Sequence, residues 1–260
     1  MTAVALRMTG ADILKLRKKR GTLIWVLVLA LLPVIVLFSV KAIQHSSNPL
    51  KYEPAGGTAG FIDGLRLLCL FFGPLAAILI GVEAGTGDAS AGVFRDLVVT
   101  GRSRLALFAS RVPAALAVCW LVAVTGYLLV LLGTFAFASS LPTPDSALVL
   151  NGLGFTLLAT GVVCVVAVGF ASLTTSKPAA ITALIGWQLV ASPLIANISS
   201  LGSGRDAVLS QAIAHFSPVH VGGARGGLVT MSQGTGLLVI VAWLAVFLAL
   251  GAWRTRTMDA

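Results

Sequence analysis

The residues best suited to nucleophilic, acid–base or metal chemistry in this 260-residue chain are three histidines and three cysteines. His215 and His220, five apart around Pro218, fit a metal or haem site by residue type, but polar residues on a loop explain them more simply. His45 stands alone. Cys69, Cys119 and Cys164 are odd in number, have no CxxC spacing and each lie inside an apolar run, so they read as small hydrophobes. Ser203, between Gly202 and Gly204, has no base nearby in sequence. There is no GxxxxGK[ST] motif. The nearest Gly-rich stretch, Gly85-Thr86-Gly87-Asp88-Ala89-Ser90-Ala91-Gly92, carries no lysine and follows an apolar segment rather than a strand. The chain is therefore expected to be non-catalytic, with no metal and no cofactor of its own.

The elements that hold these residues are set by composition. Hydrophobic residues make up 57% of the chain and charged residues only 10%, with a mean hydropathy of +0.99. A soluble domain carries about 25% charged residues, so this chain cannot coat a water-facing surface. Disorder and a disulfide-rich secreted fold are excluded on the same grounds. An all-α integral membrane protein remains. The 18 Lys+Arg against 9 Asp+Glu, net +9, then read as topological charge on cytoplasmic segments rather than a nucleic-acid footprint.

Runs free of charge, or nearly so, place six transmembrane helices at 21–40, 61–82, 112–139, 147–173, 178–198 and 234–254, in one domain spanning 1–260. A span needs about 20 mainly apolar residues. The second run is short unless extended back to Phe61, which takes in Asp63 and Arg66; at i and i+3 these two can pair and snorkel. The first run is expected to be a span rather than a cleaved leader, because Pro33 interrupts it and no A-x-A site follows. With the N-terminus inside, the inner segments hold thirteen Lys and Arg and the outer ones five. Both termini are accordingly expected in the cytoplasm of a cell inner or plasma membrane protein.

Two segments are neither span nor plain loop. Residues 1–20 set Val4, Leu6, Ile13, Leu14 and Leu16 among Lys15, Arg17, Lys18, Lys19 and Arg20, the pattern of an interfacial helix whose basic end meets anionic lipid. Residues 205–225 hold a modestly apolar stretch broken by Pro218, Gly222 and Gly223. They are too short to span and fit an outer re-entrant or interfacial hairpin. The polar residues expected inside spans are uncharged. Asn151, Gln188 and Asn197 are candidates to line a pathway, beside hydroxyls such as Thr125, Thr156, Thr160 and Thr182. Such groups often bond across helices for about 0.6 kcal/mol each. A bulky, mostly apolar cargo tolerates that lining better than a proton-driven pump does.

The segment 83–106 between the second and third spans carries Glu83, Gly92, Arg95, Asp96, Arg102, Ser103 and Arg104, with apolar Val93, Phe94, Leu97 and Val98 between them. Two to three turns of helix lying across the inner surface would expose these polar groups to a cytoplasmic partner.

This segment resembles the loop after the second helix of ABC-2 type transporter permeases. There an acidic residue ends the helix, a glycine follows about ten residues later, and an Arg-Asp/Leu-Leu stretch leads to P-x-S-R and a further basic residue. Glu83, Gly92, Arg95, Leu97, Ser103, Arg104 and Arg111 match, and Gly101 stands where the family usually has proline. The layout is similar over nearly the whole chain: a basic N-terminal elbow helix, six spans, both ends inside, and an outer hairpin with Phe216-Ser217-Pro218 before the last helix.

The resemblance implies a half-transporter without its own ATPase. Two permease subunits, identical or related, would form the path, each docking one of two ATP-binding subunits through the coupling helix at 83–106 and the elbow. ATP and Mg would sit on that partner, and its closure would push the permease pair outward. An exporter of a lipophilic drug, antibiotic or lipid is the leading expectation. A stand-alone channel or secondary carrier would show an internal repeat, and 21–139 does not resemble 146–254. A membrane-anchored immunity or assembly factor would bind without flux.

Overall fold

A computed structural model describes residues 2–90, 92, 103–174, 176–218 and 231–257. Among them every regular element is helical and none is a strand. Six helices are long and apolar enough to cross a membrane, so the chain has the make-up of a multi-pass membrane protein. In chain order, α1 is Thr2–Lys18 and α2 is Arg20–Ser47. Helix α3 runs through Gly57–Arg66, a π-helical turn at Leu67–Phe72, and Gly73–Ser90. Helix α4 is Arg104–Ala136 and α5 is Ser146–Ala171. Helix α6 is built of Lys177–Gly186, a second π turn Trp187–Ala191, and Ser192–Asn197. After 3-10 turns at Ser199–Ala207, broken where Gly202 takes φ +51°, come the short α7 (Leu209–His215) and α8 (Gln233–Thr257).

Helix starts follow from local chemistry. Ser103 caps α4 by accepting from the Ala106 N–H at 3.2 Å, and Asp145 caps α5 by accepting from the Leu148 N–H at 2.8 Å. Ser176 caps α6, whose Pro178 sits in the first turn where no N–H is needed. Two helices run beyond the span bounds expected of the sequence. Helix α3 continues past residue 82 to Ser90, and α4 begins at Arg104 instead of 112. Glu83, Asp88 and Arg111, expected between the second and third spans, thus lie within the same continuous helices as those spans. The reason is pairing: a charge held by a partner on a neighbouring helix need not end its own.

Helices α3 and α5 form the centre, with 67% and 72% of their apolar windows buried, whereas α2, α6 and α8 bury 22%, 17% and 17% and present apolar faces outward. The central contact depends on Gly81 and Gly85, four apart on one face of α3. A Cβ on Gly81 would lie 2.6 Å from both the Ala167 Cβ and the Cys164 carbonyl oxygen. One on Gly85 would lie 2.7 Å from the Ala171 Cβ. Small residues at this spacing let two backbones approach without lipid between them. Across the bundle, α5 meets α8 in the same way, with Gly169 against the Phe247 carbonyl.

Several hydroxyls in the spans are satisfied locally, whereas that of the buried Thr134 in α4 has no partner among the described residues. Thr156 and Thr160 donate to the carbonyls of Gly152 and Thr156, and Tyr127 donates to the Val149 carbonyl at 2.5 Å while its ring meets Phe61 edge-on. Cys69, Cys119 and Cys164 are buried and unbridged, as small hydrophobes would be.

Candidate functional site

At one end of the bundle, α1, α2, α3, α4 and α6 are joined by a cluster of charges. Its first half centres on Glu83 of α3, only 5% exposed. One carboxylate oxygen, Oε2, accepts from Thr22 Oγ1 of α2 at 2.9 Å and pairs with the ammonium of Lys177 at the start of α6. Lys177 also lies 3.4 Å from Thr22 Oγ1, and Lys19, between α1 and α2, stands 3.7 Å from Oε1. Three helices thus converge on one buried carboxylate.

The second half centres on Asp88, farther along α3. It accepts from Arg111 of α4 at 2.9 Å and from Lys15 of α1 at 3.1 Å. Lys15 is also 3.1 Å from Asp12, which in turn accepts from Ser110 Oγ of α4 at 2.7 Å. Arg111, 5% exposed, reaches the Gly85 carbonyl at 3.5 Å as well. Burial of the Lys15 ammonium works against its charge, but Asp88 and Asp12 outweigh that and hold its pKa above the ordinary 10.5. Both halves wall a cavity of about 270 Å³. Three bases (Lys15, Lys19 and Arg111) and three acids (Asp12, Glu83 and Asp88) line it in ion pairs, so it is a charge-paired junction between helices, and among the described residues no three His, Cys, Asp or Glu side chains converge on a metal position.

The residues expected to couple to a partner fall in several places. Glu83 is in the junction. Gly92 is a turn residue at φ +70° with open space around its Cα. Ser103 caps α4, and Arg104 donates to the Arg256 carbonyl near the end of α8 at 3.1 Å. Arg95, Asp96 and Arg102 lie outside the described residues, as do the rest of 93–102 and residue 91 in the segment expected as a transverse helix, and residues 219–225 of the expected outer hairpin, His220 among them. Of the basic residues in 1–20, Lys15 and Lys19 turn their ammonium groups into the junction, while Arg17, Lys18 and Arg20 are exposed. His215 ends α7, edge-on to Phe216.

The three polar residues expected to line a pathway are not brought together. Asn151 is exposed on α5, and Asn197 is exposed on α6 and donates to the Pro193 carbonyl at 2.8 Å. Gln188 alone faces a cavity, one of about 330 Å³ among α3, α5, α6, α7 and α8. Asp63 pairs with Lys41 of α2 as well as with Arg66, 3.7 Å away.

Residue type alone does not single out Thr22 or Lys177. A threonine and a lysine at span ends look like ordinary flank residues, and only the fold brings Lys177 to a partner 94 residues away. The Gly81-x-x-x-Gly85 spacing has the pattern of a packing signal, but nothing in the sequence pairs it with α5.

No protein-family model matches the chain, and no curated protein matches it.

Proposed function

We propose that this chain is the membrane-spanning permease subunit of an ATP-driven exporter of the ABC-2 type, working as a pair and driven by separate cytoplasmic ATP-binding subunits. The observation that carries the proposal is the charged junction at Glu83 and Asp88. It ties the ends of five helices together immediately beside the 91–103 segment where the sequence resembles the family's coupling loop. A push on that segment would reach α3 and α4 directly, and through the ion pairs α1, α2 and α6. Transmission by rigid elements with two discrete arrangements suits such a lock better than a continuously soft joint.

On this reading the excess of Lys and Arg puts the junction and both termini in the cytoplasm. Helix α1 is the elbow at the inner surface, with Leu6 and Leu14 exposed toward lipid and Arg17, Lys18 and Arg20 toward anionic headgroups. The short α7 then comes back from the outer side: Trp243, near the middle of α8, donates its indole N–H to the Ala207 carbonyl beside it. ATP and Mg are held by the partner subunit, and the cargo is a lipophilic drug, antibiotic or lipid.

Affinity capture of the chain from its native membrane in mild detergent tests the proposal. The expected result is co-purification of a subunit carrying a P-loop, lost when Arg95→Glu and Arg104→Glu are combined, with the variant still eluting as a single species. Capture of the chain without any P-loop protein under several mild detergents would count against it.

A further inference from the structure

We infer that the cavity among α3, α5, α6, α7 and α8 is a binding site, within a single copy of the chain, for an uncharged molecule with aromatic rings and one hydrogen-bonding group. Its volume of about 330 Å³ falls within the range of small-molecule sites, roughly 300–1,000 Å³. No ionisable residue lines it, so a charged guest would lose its hydration with nothing in return.

One wall is a run of rings. Trp187 of α6 meets Trp243 of α8 at 5.6 Å between centroids, Trp243 stacks on Phe247 at 5.4 Å, and Phe247 meets Phe170 of α5 at 6.0 Å. Because the Trp243 N–H is already given to the Ala207 carbonyl at 2.9 Å, this wall offers ring faces rather than donors. Offset or edge-on stacking against such a wall favours a planar guest over an acyl chain.

The polar contact is left to Gln188. Its amide carries two donors and an acceptor, and among the described residues it has no hydrogen-bond partner. It stands where the large cavity adjoins a smaller one of about 20 Å³, shared with Cys69 and Ser210. The two π-helical turns found among the described residues lie at these cavities: Cys69 and Leu70 are in the first, and Trp187 and Gln188 are in the second. Single π turns inside α-helices occur often at functional sites. A guest that stacks on the rings and bonds Gln188 would satisfy every group the cavity presents. That the guest is the transported cargo rests on the permease reading; that it binds does not.

Benzophenone is a suitable probe, with two rings, one carbonyl, no charge and light-activated insertion into nearby C–H bonds. The chain alone, in phosphatidylcholine discs without any ATPase subunit, is irradiated with it and digested, and the labelled residues are located by mass spectrometry. Label is expected to concentrate on 183–188 and 243–247 over the exposed Leu132 and Leu238, and diphenylmethanol should displace it. Gln188→Leu should lower cavity labelling about ten-fold, the loss of one hydrogen bond. Ala183→Trp, which fills the cavity, should abolish it. Label spread by lipid exposure alone overturns the inference. So does cavity label that neither diphenylmethanol nor Gln188→Leu reduces, which would mean an acyl chain lies there. Because no partner is present, either failure leaves the ATP-driven reading standing, and loss of that reading leaves this one.

Discussion

Lys177→Met should destabilise the chain by about 3–5 kcal/mol, because it strands the Glu83 carboxylate where only 5% of the residue is exposed. The lower end is expected, since Thr22 still donates and Lys19 remains 3.7 Å away. Glu83→Gln should cost less, because the Lys177 side chain is 34% exposed and its freed ammonium can reach water. The double variant, Glu83→Gln with Lys177→Met, should then be more stable than Lys177→Met alone. That order follows from the asymmetry of the pair, since the buried partner is the one that cannot be left behind. Unfolding by sodium dodecyl sulfate titration, read by tryptophan fluorescence, gives the three values and the coupling energy. Equal costs for both single changes, summing in the double, would show that the pair is a surface contact with no hold on α6.

Gly81→Ala and Gly85→Ala should each destabilise by about 1–3 kcal/mol, although alanine is the better helix former by about 1 kcal/mol. A methyl group at Gly81 meets a carbonyl oxygen and another Cβ, both 2.6 Å away, and backbone cannot swing aside as a long side chain would. The two helices must separate, and they are the two most buried spans of the bundle. Gly154→Ala is the control, since nothing lies within 4 Å of its added methyl on the same α5. It should be neutral or slightly stabilising in the same titration. If Gly81→Ala behaves like Gly154→Ala, α3 and α5 do not pack as closely as described.

Span number and helical class were legible because crossing hydrocarbon imposes a length and a composition that a single sequence displays. Where the helices end was less legible. Glu83 and Arg111 look like boundaries when charge is taken to stop a span, yet each has its partners on neighbouring helices. Which face of a span points inward was hardly legible at all. Around helices as uniformly apolar as α5 and α6, hydropathy carries no phase, so Gln188, Asn151 and Asn197 looked alike. Only the fold turns Gln188 into a cavity and leaves the other two exposed. Glu83 stands out in the sequence for its place in the segment that resembles a coupling loop, and the helices that meet on it could not be read from spacing: Thr22 and Lys177 are 61 and 94 residues away.

If this chain is the permease of an ATP-driven exporter as proposed, ATP hydrolysis on a separate subunit depends on it. The direct measurement is the ATP hydrolysis rate of the captured P-loop subunit, first alone and then with this chain in liposomes. The chain should raise a vanadate-sensitive rate several-fold, and the Arg95→Glu, Arg104→Glu variant should return it to that of the isolated subunit. A rate indifferent to the presence of the chain would contradict the proposed coupling.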